Sequence, residues 1–358
     1  MSPGRDRRPS FAAVALAGIV GLLPLSVNAQ ARVVALPEIA NRTVAPRVIY
    51  VENPRFPGVS ADDLQAVLRA AAVLVERHFA IKLVSPGHIP VRHIDEVFAG
   101  LVDYARPAFR SRIGDIRAGK VDWELVRKNL VKEIELQPDP LADQIEFARP
   151  YLIHPLDRED LEAFSRAVTS TFQARLSHWT SATLDDGHPV IGKIPGRADL
   201  PLNEYMYWAL MAKRGIEAEI VLTNQLVASV EYVPTPVHSS IRGGITGGST
   251  DYNPSSRYGT LVWVSLFPFL SDDPQIRELR DGETYAREEA LSYAGAMLAH
   301  ELGHQLLHLG HPWANPACVM RPAQALRFKR WVESFDASAC RIGSSPAMTR
   351  GTLKVPVW

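Results

Sequence analysis

The chain has 358 residues, 46% of them hydrophobic and 22% charged, which is the balance of a folded globular protein with room for one large domain or two ordinary ones. Lys+Arg and Asp+Glu both count 39, so the net charge is zero and the sequence lacks the broad cationic excess that nucleic-acid binding calls for. Two cysteines, Cys318 and Cys340, are too few for a four-cysteine zinc site.

Arg5, Arg7 and Arg8 give the N-terminus a positive start. An apolar run over residues 11–25 and small residues around Val27-Asn28-Ala29-Gln30-Ala31 follow. This is the layout of a secretory signal peptide, and residues 1–31 are expected to be removed on export to a periplasmic or extracellular location. The apolar run is short for a membrane span and carries Pro24 near its end, so no stable membrane insertion of the mature chain is expected. In an exported chain an isolated cysteine pair points to a disulfide, here Cys318–Cys340.

Residues 32–46 read as an N-terminal extension. Residues 47–52 (RVIYVE) read as a strand that ends at Asn53-Pro54. Ser60 can cap a helix with Asp62 and Asp63 in its first turn, and Leu64, Val67, Leu68, Ala71, Val75 and Phe79 recur on one face of it. Residues 81–84 read as a second strand, closing a β-α-β unit. The pattern is then helical over 92–105, 121–136 and 157–178, with breaks at Pro138, Pro140, Pro150 and Pro155. The mixed-sign charges over 110–117 and 127–135 fit solvated helix faces. A helix over 202–213 leads to β-branched residues 217–230, then to a Gly/Ser/Thr/Asn-rich loop or irregular edge over 242–258. Residues 260–266 (TLVWVSL) are a buried strand, and a long helical pattern begins near Thr284. Strands, a β-α-β unit and a helical insertion predict a mixed α/β fold of the α+β kind.

Residues 300–311 read HELGHQLLHLGH. On a helix His300 and His304 lie one above the other, about 6 Å apart along the axis, so both imidazoles can reach one metal ion. Leu291, Leu298, Leu302 and Leu306 form an apolar stripe, and Ala294 with Gly295 lets the helix approach a neighbour closely, so the helix is expected independently of the histidines. A catalytic zinc takes three protein ligands and keeps a position open for water, whose pKa it lowers. Glu301 is placed to take that water's proton as general base and to return it to a leaving amine.

The third ligand is sought downstream. His308 on an unbroken helix lies about 12 Å along the axis from His300, too far to share an ion. Gly310 can end the helix in a left-handed conformation and Pro312 prevents its return, so His311 can swing back to the metal. Glu333 on a following helix is the alternative, giving a gluzincin-type site. A catalytically silent, exported metal-binding domain is the reading from a different class, and Glu301 speaks against it. Tyr252, Tyr258 and Arg321 are candidates for stabilising the transition state.

His300 to His311, followed by Cys318-Val319-Met320-Arg321-Pro322, resembles the zinc signature and Met-turn of the metzincin metallopeptidases. The HELGH core and Met-x-Pro turn are nearest in wording to the matrix metalloproteinases, and Cys318-x-Met320 is also similar to the archaemetzincins. The resemblance covers little more than twenty residues. It implies His300, His304 and His311 as ligands of one catalytic Zn2+, Glu301 as base and Met320 as the methionine beneath the metal. The family places a glycine three residues before its third histidine, where this chain has His308, and its third histidine falls one residue earlier. A zincin-like catalytic domain over 47–345 is thereby implied, with a mixed sheet, a long active-site helix, the helical insertion over about 92–178, and a C-terminal tail over 346–358. Its substrate would be a peptide or protein.

Overall fold

A computed structural model describes residues 30–32, 34–54, 56–105, 119–183, 193–194, 197–201, 205–228, 236–351 and 355–357. The expected signal peptide falls almost wholly outside them, as do the charged stretch over 110–117 and residues 229–230 of the expected strand. Residues Gln30–Arg32 pair antiparallel with Val355–Val357.

The centre of the molecule is a five-stranded mixed sheet built from β1 (Val48–Glu52), β2 (Val91–His93), β3 (Ile220–Thr223), β4 (Gly248–Tyr252) and β5 (Thr260–Ser265). Its spatial order is β4-β5-β3-β1-β2, with β4 antiparallel at the edge and the other pairings parallel. The period-2 alternation of each strand divides its side chains between two cores. Tyr50, Ile220, Leu222, Val262 and Val264 face one core, while Val51, Val221, Leu261 and Trp263 face the other. Both sides are therefore apolar, as expected for parallel strands covered on both faces.

Helices α1 (Ala61–Phe79) and α7 (Arg287–Leu307) cover the first face. Helices α2 (Ile94–Ala105) and α6 (Tyr205–Arg214) cover the second. Ser60 and Asp63 form the capping box of α1, and Arg287 Nη2 donates to Asp63 Oδ2 at 2.6 Å, tying the starts of α1 and α7 together. The two helices touch at Gly295, where a Cβ would lie 2.5 Å from Ala70 Cβ and 2.8 Å from the Val67 carbonyl oxygen. The small residue is what permits this approach.

Between α2 and α6 the chain forms α3 (Trp123–Leu136), α4 (Leu141–Ala148) and α5 (Leu161–Thr183). Leu130, Ile134, Ile145, Phe147, Phe164 and Val168 of these helices build a third core together with Val237, Ile241, Trp313 and Ala325. The helical segment thus shares its interior with chain that follows the histidine motif. Last comes α8 (Phe328–Glu333).

Four expectations need correction. Lys82–Leu83 does not close the first β-α-β unit, because it pairs with Thr43–Val44 in a separate two-stranded ladder; β2 takes the place beside β1. Residues 43–44 of the expected extension thereby belong to the fold. The continuous strand over 217–230 is two strands, β3 and Val227–Ala228, separated where Asn224 Oδ1 accepts from the Asn53 backbone N–H at 2.8 Å. The expected C-terminal tail is partly core, with Ala347 and Met348 fully buried.

Candidate metal centre

Every residue of α7 from Tyr293 to Leu307 is buried. Gln305 Nε2 donates at 3.0 Å to both the Glu219 and the Thr260 carbonyl oxygens, fixing the helix against β5 and the residue before β3. This rotation turns His300 and His304 away from the sheet-side anchors toward the chain that returns after the helix. The helix ends at Leu307. His308, with φ 50° and ψ 44°, is its left-handed cap, and the Leu309 N–H reaches back to the Gly303 oxygen at 3.4 Å. The reversal expected at Gly310 therefore occurs two residues earlier. Histidine is among the non-glycine residues that tolerate the left-handed region. Gly310 instead runs beside Ala347, whose oxygen accepts its N–H at 2.7 Å.

The reversal brings His311 back over the helix. His304 Nε2 lies 3.1 Å from His300 Nε2 and 3.0 Å from His311 Nε2. His300 Nδ1 lies 2.8 Å from the Val319 oxygen, and His304 Nδ1 lies 2.6 Å from the Leu309 oxygen. A carbonyl oxygen only accepts, so each Nδ1 carries the hydrogen and each of these Nε2 atoms presents a lone pair. Lone pairs converging at 3 Å repel unless a proton or a cation lies between them. Burial and the neighbouring imidazoles push His300 and His311 well below the usual histidine range, and burial takes His304 down to about 4, so protons are disfavoured. Tetrahedral coordination at 2.0–2.1 Å would place the nitrogens about 3.3 Å apart, close to the separations observed. The three residues therefore fit a zinc ion, with backbone carbonyls orienting two of the rings. Among the described residues this is the one group of three or more His, Cys, Asp or Glu side chains placed to hold a metal.

Glu301 is buried beside this cluster, and Thr250 Oγ1 of β4 donates to its Oε2 at 2.9 Å. Burial pushes its carboxyl up to about 8, against the opposing Thr250 bond. A nearby dication acts in the other direction and favours the carboxylate. Gly248, on the same edge strand, makes room, since a Cβ there would lie 3.0 Å from Glu301 Cγ.

Met320 is fully buried under α7, where a Cβ on Gly303 would lie 2.2 Å from its sulfur. Cys318 and Cys340 are joined by a disulfide, and Trp331 Nε1 donates to the Arg321 oxygen at 2.7 Å, so the turn carrying Val319 and Met320 is held from both sides. The disulfide is consistent with an oxidising compartment, and no helix among the described residues is long and apolar enough to cross a membrane.

Other sequence candidates lie elsewhere. Glu333 is exposed on α8 and outside the three-histidine cluster. Arg321 donates from Nε to the Trp313 oxygen at 2.8 Å and stacks over Phe147, so it braces the loop after His311. Tyr252 and Tyr258 sit at the far end of β4 and in the turn to β5, away from the cleft. That cleft is lined by His238, Arg242, Met297, Glu301, Pro322 and Trp331, with His300 and Gly248 beside them.

Sequence reasoning missed His238, Arg242, Thr250 and Asp139. His238 and Arg242 stand four apart on the turn that begins at Val237–Ser240, a helical spacing with no long-range signal to mark it. Asp139 Oδ2 accepts the Trp313 N–H at 3.1 Å, so the helical insertion supports the loop that carries His311.

Against protein families, curated proteins and solved structures, the chain gives no match to any of them.

Proposed function

We propose that this protein is a zinc-dependent endopeptidase, exported from the cell, whose site is built in the metzincin manner. The observation that carries the proposal is the convergence of three imidazole nitrogens, from His300, His304 and His311, beside a buried carboxylate. His300, His304 and His311 would hold the ion. When bound, zinc supplies Lewis acidity that lowers the pKa of a water and polarises a peptide carbonyl. Thr250 holds Oε2 of Glu301 and leaves Oε1 to accept the water's proton as its oxygen bonds to the carbonyl carbon. The same carboxyl then gives that proton to the departing amine nitrogen as the C–N bond breaks.

Three further features support the metzincin likeness. A five-stranded sheet carries an antiparallel edge strand, β4, directly against Glu301. An extended substrate could pair with such an edge. The residue three before His311, at the position of the family's glycine, is left-handed and caps the helix, and a buried methionine, Met320, packs against that helix at Gly303.

The decisive experiment uses the purified exported chain and its Glu301→Gln variant. Both should bind about one zinc, the parent should hydrolyse unstructured peptides, and a chelator should stop it. Hydrolysis by Glu301→Gln at the parent rate would overturn the mechanism.

A further inference from the structure

Arg242 is a buried cation whose guanidinium is only partly partnered. Its side chain is 2% exposed, Nε and Nη1 have no hydrogen-bond partner, and it forms no ion pair among the described residues. Burial pulls its pKa down to about 10, and Glu301, the one acid that acts on it, resists this. The guanidinium is therefore still charged at neutral pH. Its chain neighbour on the same turn, His238, also has a buried Nδ1 without a partner and stacks edge-on against His311 with ring centroids 5.0 Å apart. Both side chains line the cleft beside His300 and Glu301.

A guanidinium buried with unpartnered N–H groups carries a desolvation cost, and Glu301 offsets only part of it. An anion entering the cleft would offset the remainder. The cleft is narrow and opens to solvent on one side, which suits it to the head of a carboxylate rather than to a bulky side chain. Met297, Pro322 and Trp331 supply apolar walls beside that position.

Resting on the peptidase reading above, we infer that Arg242 receives a substrate carboxylate, so that the enzyme acts beside an acidic side chain or a free C-terminus. The fixed charge would seat in the cleft while the adjoining peptide carbonyl lies over the histidine cluster. Asn, Gln or an amidated terminus would leave the guanidinium without that charged partner and would be rejected, because one lost charge-assisted hydrogen bond is worth about 10–100-fold.

The test has two arms. In the first, zinc-loaded protein is offered a mixed peptide library, and each cleaved peptide is resynthesised with Gln for Glu or with an amidated terminus. A fall of about 10–100-fold for one replacement identifies which carboxylate is read, and Arg242→Gln should remove that preference. In the second, calorimetry measures binding of N-acetylglutamate amide, N-acetylglutamine amide and free-acid N-acetylglutamine to zinc-loaded Glu301→Gln protein, with and without Arg242→Lys. The probe bearing the carboxylate that the first arm identifies should bind about 10–100-fold more tightly than the neutral one. Selective, Arg242-dependent binding without hydrolysis by the parent would sustain the anion site and sink the peptidase reading alone. Hydrolysis with no difference between Glu and Gln, or between acid and amide, would overturn this inference and leave the peptidase standing. The parent's own Glu-to-Gln ratio decides the matter even if both Arg242 variants fail to fold.

Discussion

A Cβ carbon on Gly303 would lie 2.2 Å from the Met320 sulfur, so the methionine occupies space that only a glycine leaves open in α7. Phe79 of α1 closes the same space from the other side, at 2.9 Å from that Cβ. Gly303→Ala should therefore force either Met320 or the helix to shift. Overpacking of this kind costs about 1–3 kcal/mol, and here it displaces the residue between Leu302 and His304. The expected outcome is a lower unfolding midpoint together with weaker zinc retention. Combining Gly303→Ala with Met320→Ala should recover part of the stability loss, since the two changes share one volume. Strict additivity of the two losses would show that they do not meet.

His311 and His308 should behave differently, because one reaches the nitrogen cluster and the other caps the helix. His311→Ala should lose zinc at low metal concentration and with it any activity. His308 needs a side chain less than it needs its φ of 50°, so His308→Gly should keep stoichiometric zinc. Metal content after dialysis against dilute chelator is the measurement. Zinc loss confined to His308→Gly would reassign the ligand.

The sequence made the histidine-bearing helix legible for physical reasons. His300 and His304 recur at the helical repeat, and the Leu stripe with Gly295 requires the helix independently. Strands β1 and β5 were legible from their β-branched runs. Strand β4 was not, because Gly248-Ser249-Thr250-Asp251-Tyr252 has no apolar alternation. It is held by the ladder to β5 and by bonds that the Tyr205 hydroxyl, at 2.6 Å, and Trp263 Nε1, at 2.7 Å, donate to the Asp251 carboxylate. The reversal lies two residues before the glycine that composition points to, because a buried histidine, His308, adopts the left-handed conformation instead. Helix α4 has little periodicity to read because it is eight residues long between prolines. Contacts such as Asp139 to Trp313 span 174 positions and leave no local periodicity to read.

Glu219 gives a pH dependence that is independent of the histidine site. Its burial alone would raise its pKa, but bonds from the side chains and backbones of Arg47 and Arg257 outweigh this and hold the carboxyl at about 2, down from 4.5. A carboxyl depressed in the folded state contributes its stability in full above its unfolded pKa, and that contribution disappears as pH falls toward the folded value. The gap in urea midpoint between the parent and Glu219→Gln should thus be constant above about pH 5 and shrink between pH 4.5 and 2. A gap that widened on acidification would contradict the ion-pair account.

The last prediction concerns how the helical segment reaches the histidine cluster. Asp139, between α3 and α4, accepts the backbone N–H of Trp313 at 3.1 Å. Ala347 accepts the Gly310 N–H at 2.7 Å, so one carboxylate and one carbonyl bracket the loop that carries His311. Trp313 packs edge-on against Phe147 of α4 at 4.8 Å and against His311 at 5.4 Å, which gives the ring a rigid wall. Asp139→Ala removes the bracket without touching any ligand. Loss of a supporting hydrogen bond around a metal site typically costs about 10–100-fold in affinity, and a similar loss is expected here. Asp139→Asn retains one acceptor oxygen for the Trp313 N–H and should fall between Ala and the parent. Zinc affinity measured by competition with a chromophoric chelator, alongside the unfolding midpoint, separates the two effects of the change. A destabilised Asp139→Ala protein with parent-like zinc affinity would mean that the helices support the fold without positioning His311.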